Sequence, residues 1–266
     1  MNSSADLSDN LKRCADLIKQ AVDKDARLVV LPETFAFMGK SLKAQLDVAE
    51  SLGQGKVQDF IAEQAARHRI YIVGGTVPIR IEGEARVHAT CFFHDDQGEC
   101  IAAYNKIHLF DVDLPEKNES YRESSVFKSG DKAVVVKTPL GCIGLAVCYD
   151  LRFPELFRLL LADGAEIIAF PSAFTKHTGE AHWQLLLRAR AVENQAWIIG
   201  ANQAGRHANG RSTYGHSAIV EPWGRVVADI KGEAEQPVVA EIDRDKQANL
   251  RQSFPCAEHR NIKVSL

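Results

Sequence analysis

Three residues of this 266-residue chain pair a reactive side chain with a position at the end of an apolar run: Glu33 closes LVVLPE, Lys106 closes ECIAAYNK, and Cys148 follows CIGLAV. A cysteine sulfur is a strong nucleophile only once its proton is gone, and an adjacent carboxylate can take that proton. An ammonium can then hold the negative charge that builds on an attacked carbonyl oxygen. The steps from 33 to 106 and from 106 to 148 are 73 and 42 residues, so only the fold can bring the three together. Each also has an ordinary reading. A glutamate after a strand is commonly solvated, a strand-end lysine blunts a sheet edge, and a cysteine inside an apolar run is commonly a small core residue. Taken singly, the ordinary readings carry more weight, and spacing alone does not bring the side chains together.

The elements that must position them alternate along the whole chain. Leu11, Ala15, Ile18 and Val22 mark one helical stripe over residues 8–24, with Ser8 as its expected cap. Further helices are expected over 56–69, 153–164, 181–195 and 243–253, with Pro154 in the first turn of the second of these and Asp243 capping the last. Buried strands are expected over 28–33, 70–77, 166–171 and 197–203, and hairpins over 87–95 with 99–106 and over 133–138 with 142–150. Antiparallel strands are expected over 215–222, 226–230 and 237–243. Apolar strands separated by helices, with hairpins mixed in, favour two packed mixed sheets with helices outside, or an open α/β sheet, over a strictly alternating barrel. No linker, low-complexity tract or fixed-period repeat interrupts the sequence, so one domain over 1–266 is expected.

Composition narrows the function. Hydrophobic residues make up 45% and charged residues 25%, which is ordinary globular usage. Thirty-two basic against 35 acidic residues give a net charge of −3, which argues against a nucleic-acid or membrane-surface partner. No run approaches the ~18 apolar residues of a spanning helix, and the polar start MNSSADLSDN is unlike a signal peptide, so a cytoplasmic protein is expected. The six cysteines include no C-x-x-C pair, and free thiols are expected. No cofactor or metal is expected. His177 and His182 are read as loop and pocket-rim residues, and Gly74-Gly75 as a tight turn without a phosphate-binding fingerprint.

The motifs LPETF (31–35), YNKIHLFD (104–111) and GLAVCYDLRFPEL (144–156) resemble those of the nitrilase superfamily of carbon–nitrogen hydrolases, and the resemblance continues through residues 170–195 and 214–224. PSAF at 171–174, Gly205-Arg206-His207 and YGHS at 214–217 are most similar to its deaminated glutathione amidase branch, with the omega-amidases as near neighbours. The resemblance implies a four-layer α-β-β-α sandwich of two mixed sheets. It also implies an amidase that opens a small carboxamide through a cysteine acyl-enzyme and releases ammonia. Glu33 is then the base, Cys148 the nucleophile, Lys106 and the Tyr149 backbone N–H the oxyanion donors, and Glu123 a supporting carboxylate. Phe174, Thr175, Arg206 and His207 are the expected substrate contacts, Arg206 and His207 for a carboxylate. Asp150 and Arg152 are expected to hold the turn around Cys148, and Arg188 and Arg190 to be ion-paired on a helix surface or a subunit contact. A homodimer is the expected assembly. Family members open with a strand just ahead of the segment matching Met1–Ser4, and that strand is missing here, which suggests a start placed downstream of the natural one. The alternatives are an omega-amidase acting on α-ketoglutaramate, another aliphatic amidase or nitrilase, and a non-catalytic binding protein on the same fold.

Overall fold

The computed structural model describes residues 1–114, 119–232 and 234–262. Residues 1–6 form no strand, and the chain enters regular structure at α1 (Leu7–Val22). Its buried positions Leu11, Cys14, Ile18 and Ala21 follow the 3–4 spacing of one helical face. The cap is Asp6, whose carboxylate accepts the Asp9 N–H, and Ser8 lies inside the first turn instead.

The first sheet follows. β1 (Leu28–Val30) runs parallel to β2 (Tyr71–Val73), and α2 (Lys56–His68) connects them. β3 (Val77–Arg80), β4 (Val87–His94) and β5 (Cys100–Asn105) complete it, with β4 antiparallel to β2, β3 and β5. The strand expected over 70–77 is broken into β2 and β3 at Gly75, where φ is +55° and a Cβ would sit 2.3 Å from the Pro32 carbonyl oxygen. Only glycine accepts that approach. β6 (Asp111–Leu114) and β7 (Glu119–Arg122) form a separate hairpin, clamped by the Arg122–Asp113 ion pair at 2.8 Å.

The second sheet has six strands. β8 (Val134–Thr138), β9 (Gly141–Leu145), β10 (Ile167–Ser172) and β11 (Trp197–Asn202) lie side by side, with α3 (Pro154–Ala162) and α4 (Lys176–Asn194) between successive strands. β9, β10 and β11 are parallel. β12 (Ala204–Arg206) and β13 (Ser212–Tyr214) make a short ribbon beside it, and β14 (Ala218–Val220) and β15 (Val226–Asp229) extend the main sheet antiparallel. α5 (Arg244–Ser253) closes the described structure, with the Asp243 side chain capping it through the Lys246 N–H.

Side-chain alternation builds the layers. Ile72 and Phe92 pack in one cluster with Leu11, Cys14, Ile18 of α1 and Val57, Ile61, Ala65 of α2. Their neighbours Val73, Cys91 and Phe93 pack with Ile143, Leu145 and Ile168 of the second sheet. That sheet also meets Leu156, Phe157, Leu160 of α3 and Trp183, Leu187, Ala191 of α4. The result is helices, sheet, sheet, helices, the sandwich expected from sequence.

Two expectations need correction. α4 starts at Lys176 and not at residue 181, because Thr175 caps it with its hydroxyl and the polar stretch before Trp183 is helical. His177 is therefore helical, not a loop residue. The strand expected over 237–243 does not form. Val238, Ala240 and Ile242 do pack against the core at alternate positions, but the segment borders a cleft of about 580 Å3 shared with α1, β1 and β11, and its backbone joins no ladder among the described residues.

Candidate active site

Glu33, Lys106 and Cys148 follow β1, β5 and β9, and the fold brings all three to one cavity of about 520 Å3. Glu33 is fixed from behind. Its carbonyl accepts from the Gln203 side chain at 3.1 Å, and the next N–H, of Thr34, donates to the Thr76 hydroxyl at 3.0 Å. The Gly75 turn is what places that hydroxyl. Lys106 continues from β5, its N–H donating to Ala89 and its carbonyl accepting from Gly130.

Cys148 sits on a tight turn with φ +48°, a left-handed conformation that costs a non-glycine residue on the order of 1–2 kcal/mol. The turn is held by Asp150, which is fully buried. One carboxylate oxygen accepts Tyr104 O–H at 2.7 Å and Val147 N–H at 2.8 Å, and the other accepts His108 N–H at 3.0 Å and meets His108 Nδ1 at 2.7 Å. Arg190 is buried rather than on the surface. It pairs with Glu193 at 2.8 Å and donates through Nε and Nη2 to the Leu151 carbonyl. Asp150→Ala would leave the Tyr104 hydroxyl and two backbone N–H groups without acceptors, each worth about 1–3 kcal/mol when buried. The variant is expected to lose at least about 3 kcal/mol of stability in urea unfolding, whatever its residual activity.

The Lys106 ammonium lies 2.8 Å from Glu33 Oε1, and 2.8 and 2.9 Å from the two oxygens of Glu123. Glu123 also accepts the Phe110 N–H. One cation between two carboxylates leaves a cluster with one net negative charge. For Glu33, burial alone would raise the pKa, but the Lys106 charge and the hydrogen bonds from Lys106 and Cys148, with Arg211 nearby, carry it below the ordinary 4.5. Glu123 goes the other way, pushed up by burial and by repulsion from Glu33 against the pull of Lys106. Burial opposes the charge on Lys106, yet Glu123, Glu33 and Cys148 hold its pKa well above the usual value. Burial, with the Glu33 charge beside it, raises the Cys148 thiol, so the sulfur rests protonated. This arrangement suits a proton transfer from sulfur to Glu33 that is coupled to attack, with a fixed cation waiting for the developing anion.

Tyr149, Phe174 and Thr175 line the same cavity. Phe174 is packed on Trp183 with ring centroids 5.0 Å apart. The Thr175 hydroxyl is engaged with Thr178 at 2.8 Å. Arg206 and His207 are not in the site. Arg206 is exposed at the end of β12, and His207 is buried between the Ser3 carbonyl at 3.0 Å and the Thr213 hydroxyl at 2.7 Å. Burial lowers the His207 pKa and keeps it neutral. The β12–β13 ribbon instead turns Arg211, five residues further on, toward the cavity, together with Tyr121 and Arg122 of the β6–β7 hairpin. No motif marks Arg211 or the hairpin, and their polar sequence hides them. Among the described residues, no three His, Cys, Asp or Glu side chains are grouped to hold a metal ion.

A family model described as carbon-nitrogen hydrolase matches residues 1–252. A deaminated glutathione amidase from Synechocystis is 40% identical over 98% of this chain and 95% of its own. The crystal structure of the Caenorhabditis elegans NitFhit protein superposes with a TM-score of 0.90 at 39% identity, covering 98% of this chain and 63% of that longer protein. A mutant amidase from Nesterenkonia sp. AN1, at 27% identity and a TM-score of 0.75 over 96% of both chains, was solved with acrylamide joined by Michael addition to its active-site cysteine.

Proposed function

This chain belongs to the carbon–nitrogen hydrolase family, and from that premise we propose that it hydrolyses an amide through a thioester on Cys148, with deaminated glutathione as the substrate. The observation that carries the reading is the Lys106 ammonium held at 2.8 Å from both Glu33 and Glu123, in the same cavity as the Cys148 thiol. Sulfur attacks the amide carbonyl as its proton passes to Glu33. The carbonyl oxygen takes the electron pair beside Lys106 and the Tyr149 backbone N–H. Collapse breaks the C–N bond, and Glu33 gives its proton to the leaving nitrogen, which departs as an amine, or as ammonia from a primary amide. Water then attacks the thioester as Glu33 takes its proton, the C–S bond breaks, and the proton returns to sulfur. Glu123 holds Lys106 in place. Phe174 and Thr175 shape the acyl side of the cavity. These steps use side chains, the Tyr149 backbone N–H and water, and residues 1 to 266 are read as one catalytic domain.

The experiment is a comparison of kcat/KM on deaminated glutathione and α-ketoglutaramate. A higher value for the first supports the reading, a higher value for the second makes the enzyme an omega-amidase, and turnover of neither or of other amides leaves only a binding role. Because the pKa of Glu33 is lowered, the base is already ionised at neutral pH. Protonation removes it only below the ordinary carboxylate value of 4.5, so kcat/KM is expected to hold from pH 7 to pH 5 and to fall on further acidification. A limb centred near pH 6 in a protein still folded by circular dichroism would contradict this assignment of the base.

A cytoplasmic homodimer belongs to the same reading. No helix among the described residues is long and apolar enough to cross a membrane. Leu185 and Val192 of α4 are exposed, as are Trp223 and Phe254, whose rings meet edge to face 6.2 Å apart. Apolar surface of this kind favours a partner copy. Light scattering at twice the 29.4 kDa chain mass tests it.

A further inference from the structure

Lys106 follows β5 of the first sheet and Cys148 follows β9 of the second, and among the described residues no ladder joins the two sheets. Apolar packing between sheets is non-directional and does not by itself fix an amine against a sulfur. Asp150 makes directional contacts to both sides. On the Lys106 side its carboxylate accepts the hydroxyl of Tyr104, two residues before the lysine, at 2.7 Å. It also accepts the backbone N–H of His108, two residues after, at 3.0 Å, and meets the His108 ring Nδ1 at 2.7 Å. A carboxylate only accepts, so that Nδ1 carries a hydrogen. The Tyr104 hydroxyl in turn accepts the Ile107 N–H at 3.3 Å, so the chain on either side of Lys106 is drawn to one point. On the Cys148 side the same carboxylate accepts the N–H of Val147, the residue before the nucleophile, at 2.8 Å.

The His108 ring stands apart from the other donors. Asp150 is fully buried, whereas the His108 side chain is a quarter exposed. The ring also stacks on Phe153 with centroids 3.6 Å apart, and Phe153 ends the short helix Cys148–Arg152 and meets the Tyr149 ring edge to face at 5.3 Å. One side chain, two residues from Lys106, therefore grips the nucleophile-bearing turn both at Asp150 and at its end. We propose that His108 is a positioning residue for amide hydrolysis. By gripping Asp150 it sets the Lys106 ammonium against the Cys148 sulfur, so that the carbonyl oxygen of a bound amide reaches the cation as the sulfur reaches its carbon. This rests on Lys106 receiving the oxyanion, as proposed above. A misplacement of about 1 Å costs on the order of 10²-fold in rate.

Two reactions of the same sulfur test it. Amide turnover builds charge on oxygen and needs Lys106 in register, whereas alkylation of Cys148 by iodoacetamide displaces iodide at a saturated carbon and builds none. His108→Phe keeps a ring for Phe153 and removes the donor. His108→Asn removes the ring and keeps a donor, its Nδ2 lying where Nδ1 was. On the faster of deaminated glutathione and α-ketoglutaramate, His108→Phe is expected to lower kcat about 10–100-fold with KM within about twofold of wild type. The rate of Cys148 alkylation, followed by peptide mass, is expected to stay within about twofold of wild type, and His108→Asn to recover most of the lost kcat. Unchanged kcat in His108→Phe, a loss carried by KM, no recovery in His108→Asn, or equal losses in turnover and alkylation would overturn the proposal. Equal losses would mean that the ring only holds the turn. If His108→Phe does not fold, His108→Ala takes its place, and its comparison with His108→Asn isolates the donor with the ring absent from both. A wild type that turns over no amide would remove this proposal together with the amidase reading, whereas wild-type turnover that the variants leave unchanged would remove the proposal alone.

Discussion

Replacing Cys148 with alanine is expected to lower kcat/KM by about 10⁴-fold or more while leaving the far-UV circular dichroism and the Tm close to wild type, because removal of a covalent nucleophile eliminates the first chemical step. Alanine keeps the Cβ, so the φ of +48° at this turn is no more strained than before. The turn is secured by the four contacts to Asp150 and the Arg190 grip on Leu151, and none of these involves the sulfur. The charge on Glu33 keeps its partner in Lys106 when the sulfur is removed. Activity surviving at more than about 1% would mean that another group attacks the amide.

Lys106→Met gives the second large effect, and it acts on two quantities at once. The loss of an oxyanion donor costs about 10²–10³ in kcat. The same change leaves Glu33 and Glu123 buried side by side with no cation, and removing one partner of a buried ion pair typically costs about 3–5 kcal/mol. For a chain of this size that corresponds to a Tm lower by about 10 °C at pH 7. The sign of its pH dependence is fixed. In the variant both carboxyls have folded pKa values above the unfolded 4.5, so the loss of stability is full at neutral pH and shrinks as pH falls toward 4.5 and the carboxyls take up protons. In the wild type, the contribution from Glu33 runs the opposite way: its pKa is lowered on folding, and its stabilisation is present above 4.5 and lost on acidification. A Lys106→Met deficit that grew at low pH would contradict the buried cluster.

Much of this molecule could be read before its fold was known, and the limits of that reading have physical causes. The α1, α2 and α3 stripes and the β4–β5 and β8–β9 hairpins follow from side-chain period and turn residues, and they agree to within a few residues. Glu33, Lys106 and Cys148 each end an apolar strand, which makes them candidates only; the resemblance of the motifs around them singled them out as a set, and the packing of two sheets carries their side chains to one cavity. The failures fall where local pattern and tertiary context part. Val238, Ala240 and Ile242 have strand alternation but no neighbouring strand to bond. The start of α4 is polar, and its helix is set by the Thr175 cap rather than by an apolar face. Arg206 was a reasonable carboxylate contact by residue type. The direction of a two-stranded ribbon, which no periodicity reveals, exposes it to solvent and turns Arg211 inward instead.

The most direct test of the account is residual activity plotted against the fraction of Cys148 alkylated by iodoacetamide, with each of the six cysteines followed by peptide mass. Exposed Cys100 would react first if access alone governed the rate. The account predicts that activity falls in direct proportion to Cys148 modification, that substrate slows both equally, and that labelling of Cys100 changes nothing. Full modification of Cys148 with activity retained would contradict it.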